Sequence, residues 1–231
     1  MAAWAHRTRS FFLLPVVRRR QVGRGTKVDR SAQVLGWRSI RLGQRVIVSE
    51  HCWLNVNVPN PSAPSILIGD YSLIGRRNSI SAGRSITMGD YTLTGPDCHF
   101  IGSGHIYDTP FQPYISTGNT HNDAIVIGPN CWFGVGAKVI GHVTIGHGCI
   151  IGADCLVRAD IPPFSMVVGN PARIVKRYDV LAGAWIDQRD FTAEMAAALP
   201  AETTYLAQLR ANAAHLRMPY LASGYRSGHT I

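Results

Sequence analysis

The sequence predicts an all-β solenoid: a parallel β-helix of hexapeptide repeats, with one long excursion loop and a helical C-terminal tail. Three observations predict it. An apolar residue recurs every sixth position at Ile127, Phe133, Val139, Ile145, Ile151 and Val157. Glycine follows four of these, at Gly128, Gly134, Gly146 and Gly152, and the fourth residue after each is small or β-branched. The rhythm breaks over about 102–124 and stops at Pro162-Pro163.

Period six fits neither the 3.6 of a helix nor an uninterrupted strand, but it fits short strands separated by regular turns. Side chains alternate along a strand, so the large aliphatic and the small residue four later share one face. Glycine beside the aliphatic suits the sharp corner. Three hexads make one triangular coil of 18 residues. The pattern also runs through Ile68, Ile74, Ile80 and Met88, Thr94, Phe100, and more weakly from Val28 to Leu54. About six coils follow, with two-residue slips at 40–42 and 86–88.

The elements divide the chain in order. Residues 1–27 form a basic and apolar segment, 28–177 the β-helix, and 178–231 a tail. Within the first segment, Phe11 to Val17 precede Arg18-Arg19-Arg20. Seven apolar residues cannot span a bilayer, which needs about 20, and no small-residue cleavage site follows. The segment reads as a cap over the first coil, with contact to an anionic membrane surface as the other reading. The excursion, residues 102–124, is long for a compact repeat, and such loops usually carry function. Beyond Asp179 the composition turns Ala-rich and helical. A tail helix is expected to cover the sheet edge that a β-helix leaves open.

The net charge of +9 is concentrated. Residues 1–30 hold eight Lys or Arg against Asp29, which leaves +2 for the other 201 residues. Nucleic-acid binding needs cations spread over a folded surface, so this distribution argues against it. The five cysteines all occupy the small inward slot of a hexad, where a free thiol behaves as a compact hydrophobe. No C-x-x-C pair occurs, and a reducing, cytoplasmic setting is expected, with peripheral contact at the inner face of the membrane as an extension of it.

Trp132-Phe133-Gly134-Val135-Gly136-Ala137, Ile145-Gly146, Ile151-Gly152-Ala153 and Gly169-Asn170-Pro171-Ala172-Arg173 carry a specific pattern. Over roughly 66–177 it resembles the hexapeptide-repeat acyltransferase superfamily, within it the maltose/galactoside acetyltransferase-like branch and its polysaccharide O-acetyltransferases. The resemblance implies a left-handed helix, a homotrimer with sites between subunits, and acetyl-CoA as donor. It implies His105 as general base, at the start of the excursion. A sugar hydroxyl must lose its proton as it attacks a thioester, and imidazole, ordinarily titrating near ~6.5, suits that task. A backbone N–H would stabilise the oxyanion.

The resemblance places the cofactor along Gly134, Val135, Ala153, Arg158, Ala159, Arg173 and Lys176. The three cations suit a pyrophosphate and a 3′-phosphate. Trp132, Tyr107 and Asp108 are expected at the acceptor, with Tyr114 as a further candidate. Gly75 and Gly83 stand where galactoside-type enzymes carry polar sugar contacts, which argues against a small galactoside. The resemblance implies a surface polysaccharide, its repeat unit or a lipid-linked precursor as acceptor.

Three other readings stay open: N-acetylation of an amino sugar, a zinc enzyme of the γ-type carbonic anhydrase kind using His142 and His147, and a non-catalytic scaffold. No metal is expected in the leading reading.

Overall fold

The computed structural model describes residues 21–59, 63–213, 216 and 218. Residues 1–20, with the apolar run and the three arginines, lie outside the described residues, as does most of the tail beyond 213. The chain winds as a three-faced prism of short parallel strands.

The first face stacks Lys27–Val28, Ile47–Val48, Leu73–Ile74, Leu93–Thr94, Trp132–Phe133, Ile150–Ile151 and Ser165–Val168. The second stacks Gln33–Leu35, Trp53–Val56, Ser79–Ala82, His99–Ile101, Lys138–Ile140 and Leu156–Val157. Ile40–Leu42, Ile66–Ile68, Ser85–Met88, Ala124–Ile127 and Val143–Ile145 make the third. The chain visits the faces in that order, so each coil crosses a first/second, a second/third and a third/first edge.

The hexad register is realised as inward packing. Ile74, Ile80, Phe100, Ile127, Phe133, Val139, Ile151 and Val157 are fully buried. Phe100 and Phe133 meet edge to face at 5.1 Å on neighbouring coils, a geometry that aromatic pairs favour. All five cysteines are free and buried. Burial pushes the Cys52 and Cys98 thiols up to about 11, so both remain protonated and inert.

The glycine after each aliphatic serves a different purpose from the one expected. Positive φ falls two residues later and mostly on other residue types: Tyr71, Tyr91 and Asn130 at the third/first edge, His51, Arg77, Asp97 and Asp154 at the first/second. The hexad glycine is required by the coil stacked on it. A Cβ on Gly134 would stand 2.6 Å from the Ala153 backbone nitrogen, and one on Gly128 equally close to that of His147.

Three other expectations are corrected. The rhythm is interrupted twice, because the second face ends at Val56 and the third resumes only at Ile66. The tail from 178 does not open as helix. The strand Arg173–Asp179 doubles back antiparallel to Ser165–Val168, and Ala184–Asp187 pairs antiparallel with it in turn. This pair, not a helix, covers the lower edge of the first face. The helices α1 (Ala193–Ala197) and α2 (Glu202–Asn212) lie elsewhere. In α2, Tyr205 accepts from Asn130 and packs on His147 and Phe164, and Arg210 binds Asp90 at 2.8 Å. These partners all belong to the third/first edge, so α2 runs along the flank of the prism. Among the described residues, no helix is long and apolar enough to cross a membrane.

Candidate active site

The excursion leaves the second face after Ile101 and returns to the third at Ala124. Its base is anchored by Gly102 N–H to the Ser81 carbonyl (2.9 Å) and Arg84 N–H to the Asp123 carbonyl (2.8 Å). A polar ladder supports it from the helix body: the buried Asn55 amide donates to Ser81 Oγ at 3.1 Å, and Ser81 Oγ lies 3.0 Å from Ser103 Oγ. The Asn55 carbonyl oxygen is buried without a partner among the described residues. The sequence signal for this ladder is faint, being three polar residues at outward positions beside the excursion.

Above the base, Gly104–His105 pairs antiparallel with Asn119–Thr120, so His105 stands on a two-stranded stem opposite Asn119. The Thr117 hydroxyl donates to the Ile106 carbonyl at 2.6 Å, and Ile106 N–H reaches the Gly118 carbonyl at 3.1 Å. These bonds fix the backbone on both sides of His105. Its imidazole is exposed and makes no hydrogen bond among the described residues. Tyr107 and Asp108 follow it into solvent, as does Tyr114. Phe111 and Ile115 at the tip are 103% and 92% exposed, covered by none of the described residues.

The remaining expected residues fall on two edges. Gly134 and Val135 turn at the first/second edge, with Ala153 directly beneath them: Gly134 N–H donates to Ile151 O at 2.7 Å, and Asp154 N–H to Val135 O at 2.8 Å. Trp132 adjoins them on the outer side of the first face, half exposed. Arg173 and Lys176 lie on the returning strand, opposite Val168 and Met166. Arg158 and Ala159 follow Val157 at the second/third edge, on the side where the excursion emerges. Arg173 follows Ala172, whose N–H donates to Leu156 O at 2.9 Å, so Arg173 and Arg158 stand toward opposite ends of the same second-face strand. Lys138, an outward residue of the second face near Gly136 and Asp154, is a further cation between the two edges.

His142 and His147 stand on different edges. His142 Nδ1 accepts from Ala124 N–H at 3.3 Å at the second/third edge. His147 is buried under α2 with Nε2 3.1 Å from the Pro200 carbonyl. Both imidazoles serve the fold, and their placement does not converge on a shared ligand.

Comparison with known proteins bears on this geometry. Residues 124–159 match the bacterial transferase hexapeptide model of six repeats. Over this stretch the chain is similar to bacterial hexapeptide-repeat transferases. It is 36% identical over 135 residues to a probable acetyltransferase of Mycobacterium tuberculosis, covering 58% of this chain and 44% of that protein. A putative acetyltransferase of Staphylococcus aureus is 33% identical over 114 residues, covering 42% of this chain and 57% of that one. The chain thus spans about half the length of the curated relatives it matches. Among solved structures, the fold recurs in AntD, an N-acyltransferase from Bacillus cereus in complex with dTDP and coenzyme A. Its TM-score is 0.63 at 17% identity, over 87% of this chain and all of that one.

Proposed function

We propose that the protein transfers an acetyl group from acetyl-CoA to a hydroxyl of a sugar, in a surface polysaccharide, its repeat unit or a lipid-linked precursor. The observation that carries this reading is His105, an exposed imidazole without a hydrogen-bond partner among the described residues, held on a braced stem at the prism edge. The names of the acetyltransferase relatives support the reaction class.

The chemistry assigned to these residues is a direct transfer. His105 takes the acceptor proton as the hydroxyl oxygen attacks the thioester carbonyl. The tetrahedral oxyanion collapses, the C–S bond breaks, and the imidazolium returns its proton to the departing thiolate. No acyl-enzyme forms. Acetyl-CoA is assigned to the groove lined by Gly134, Val135 and Ala153, with Arg173 and Lys176 on its phosphates and Arg158 and Ala159 facing it from a neighbouring copy. Trp132, Tyr107 and Asp108 are assigned to the acceptor.

Two features favour a site between copies, in the left-handed homotrimer that the resemblance to hexapeptide acyltransferases implies. The assigned residues divide between two edges of one prism, and the apolar tip of the excursion needs a surface to cover it.

Incubation of the protein with acetyl-CoA and a panel of sugar and glycan acceptors tests the reaction. Acetyl ester formation that falls ~10²–10⁴-fold in His105→Ala is expected. Turnover unaffected by that change would refute the assignment. The fold shared with an N-acyltransferase makes an amino sugar the second reading, and hydroxylamine-resistant amide product instead of labile ester would select it.

A further inference from the structure

The first/second edge carries a cleft of about 440 Å³ above the assigned donor groove, lined by Asp29, Arg30, Ser31, Glu50, His51, Arg76 and Arg77. We infer that this cleft binds the phosphate group of a phosphorylated or diphosphate-linked acceptor. The inference rests on the acyltransferase reading for the acceptor's identity, but the anion site stands on its own geometry.

The levels of the coils order the groups. Arg77 Nε and Nη2 hold both carboxylate oxygens of Asp97 at 2.7 Å, so the Arg76-Arg77 corner lies directly above the Pro96-Asp97 corner. Gly95 N–H bonds Phe133 O at 2.7 Å, which places the Gly134-Val135 corner directly below. The excursion bearing His105 leaves from the middle coil, after Phe100 and Ile101. Neighbouring strands lie roughly 4.8 Å apart. With His105 supplied by a neighbouring copy at the level of the middle coil, the order down the edge is anion cleft, level of chemistry, donor groove, with the cleft about one sugar ring above the reacting level.

The lining sets three guanidinium groups, Arg30, Arg76 and Arg77, against two carboxylates, Asp29 and Glu50. Asp29 Oδ1 accepts from the Ser31 backbone and hydroxyl, at 2.9 and 2.7 Å. Asp97 is spent on Arg77. Arg76 and His51 make no side-chain hydrogen bond among the described residues, and both are exposed. Arg77 keeps Nη1 outside its fork to Asp97. A guanidinium with all donors open, an imidazole and a fixed second guanidinium suit the oxygens of a phosphate ester. The lining contains no apolar side chain for a ring or an acyl chain.

The test is calorimetric titration of the full chain, saturated with desulfo-CoA, using three probes. These are inorganic pyrophosphate, uridine diphosphate, and phosphatidylcholine vesicles carrying a polyprenyl diphosphate against plain phosphatidylcholine vesicles. Binding of at least one probe is expected, weakened about tenfold or more in Arg76→Ala and in Arg76→Gln. Preference for uridine diphosphate assigns a soluble nucleotide-linked acceptor, and preference for the vesicles a lipid-linked one. Absence of binding in every arm, displacement by desulfo-CoA, or affinity unchanged in both Arg76 variants would overturn the inference. Titration of the chain without desulfo-CoA, using acetyl-CoA, separates this failure from that of the acyltransferase reading.

Discussion

Gly83 shows how little room the base of the excursion has. A Cβ there would run into the Gly102 carbonyl and stand 2.9 Å from that of Asp123, the two ends of the loop that carries His105. Gly83→Ala is therefore expected to displace the loop while leaving the coil intact. Activity should fall with acetyl-CoA affinity preserved, and native melting with native activity would contradict this. Phe100 tests the interior instead. Its removal opens a cavity against Phe133, and Phe100→Ala should cost about 3–5 kcal/mol in urea unfolding. At this scale the sequence was most legible for buried positions, because period six maps each aliphatic inward. It was least legible for the hexad glycines, because the constraint on them comes from the coil below and leaves no local turn signal.

At the scale of elements, the tail helix α2 is held by a histidine that must stay neutral. Burial holds His147 below the ordinary imidazole value of 6.5, with the Pro200 carbonyl and Glu202 offsetting part of the shift. A lowered folded-state pKa means that the undocked or unfolded state takes up the proton first. The contribution is present in full above 6.5 and is lost as pH falls through the folded value. Amide exchange in 202–212 should accelerate on acidification below 6.5, and His147→Gln should flatten that dependence. Exchange that keeps its pH response in the variant would place the switch elsewhere. The excursion was readable as an element because a repeat makes its own interruption visible. The return of Arg173–Asp179 was not: one extended segment looks the same in sequence whether it continues the coil or reverses along it. The gap between Val56 and Ile66 escaped because the repeat around it is weak, and a weak repeat does not show where it is broken.

For the whole molecule, the division of assigned residues between two edges is the main consequence of the fold. Periodicity places each residue on a coil, but only strand register shows that Gly134 and Ala153 share one edge while His105 and Arg158 share another. If a neighbouring copy completes the site, two inactive variants should complement each other. His105→Ala and Gly134→Trp, unfolded together and refolded as mixed oligomers, should recover a fraction of native turnover that neither regains alone. Mixed oligomers as inactive as their parents would place the whole site in one chain.

Use of acetyl-CoA by this β-helix is tested most directly by calorimetric titration with acetyl-CoA, dephospho-CoA and desulfo-CoA. Micromolar binding of acetyl-CoA is expected, weakened when the 3′-phosphate is removed or when Arg173 is replaced by alanine. No heat of binding at millimolar acetyl-CoA would contradict it and leave a β-helix scaffold with an incidental histidine.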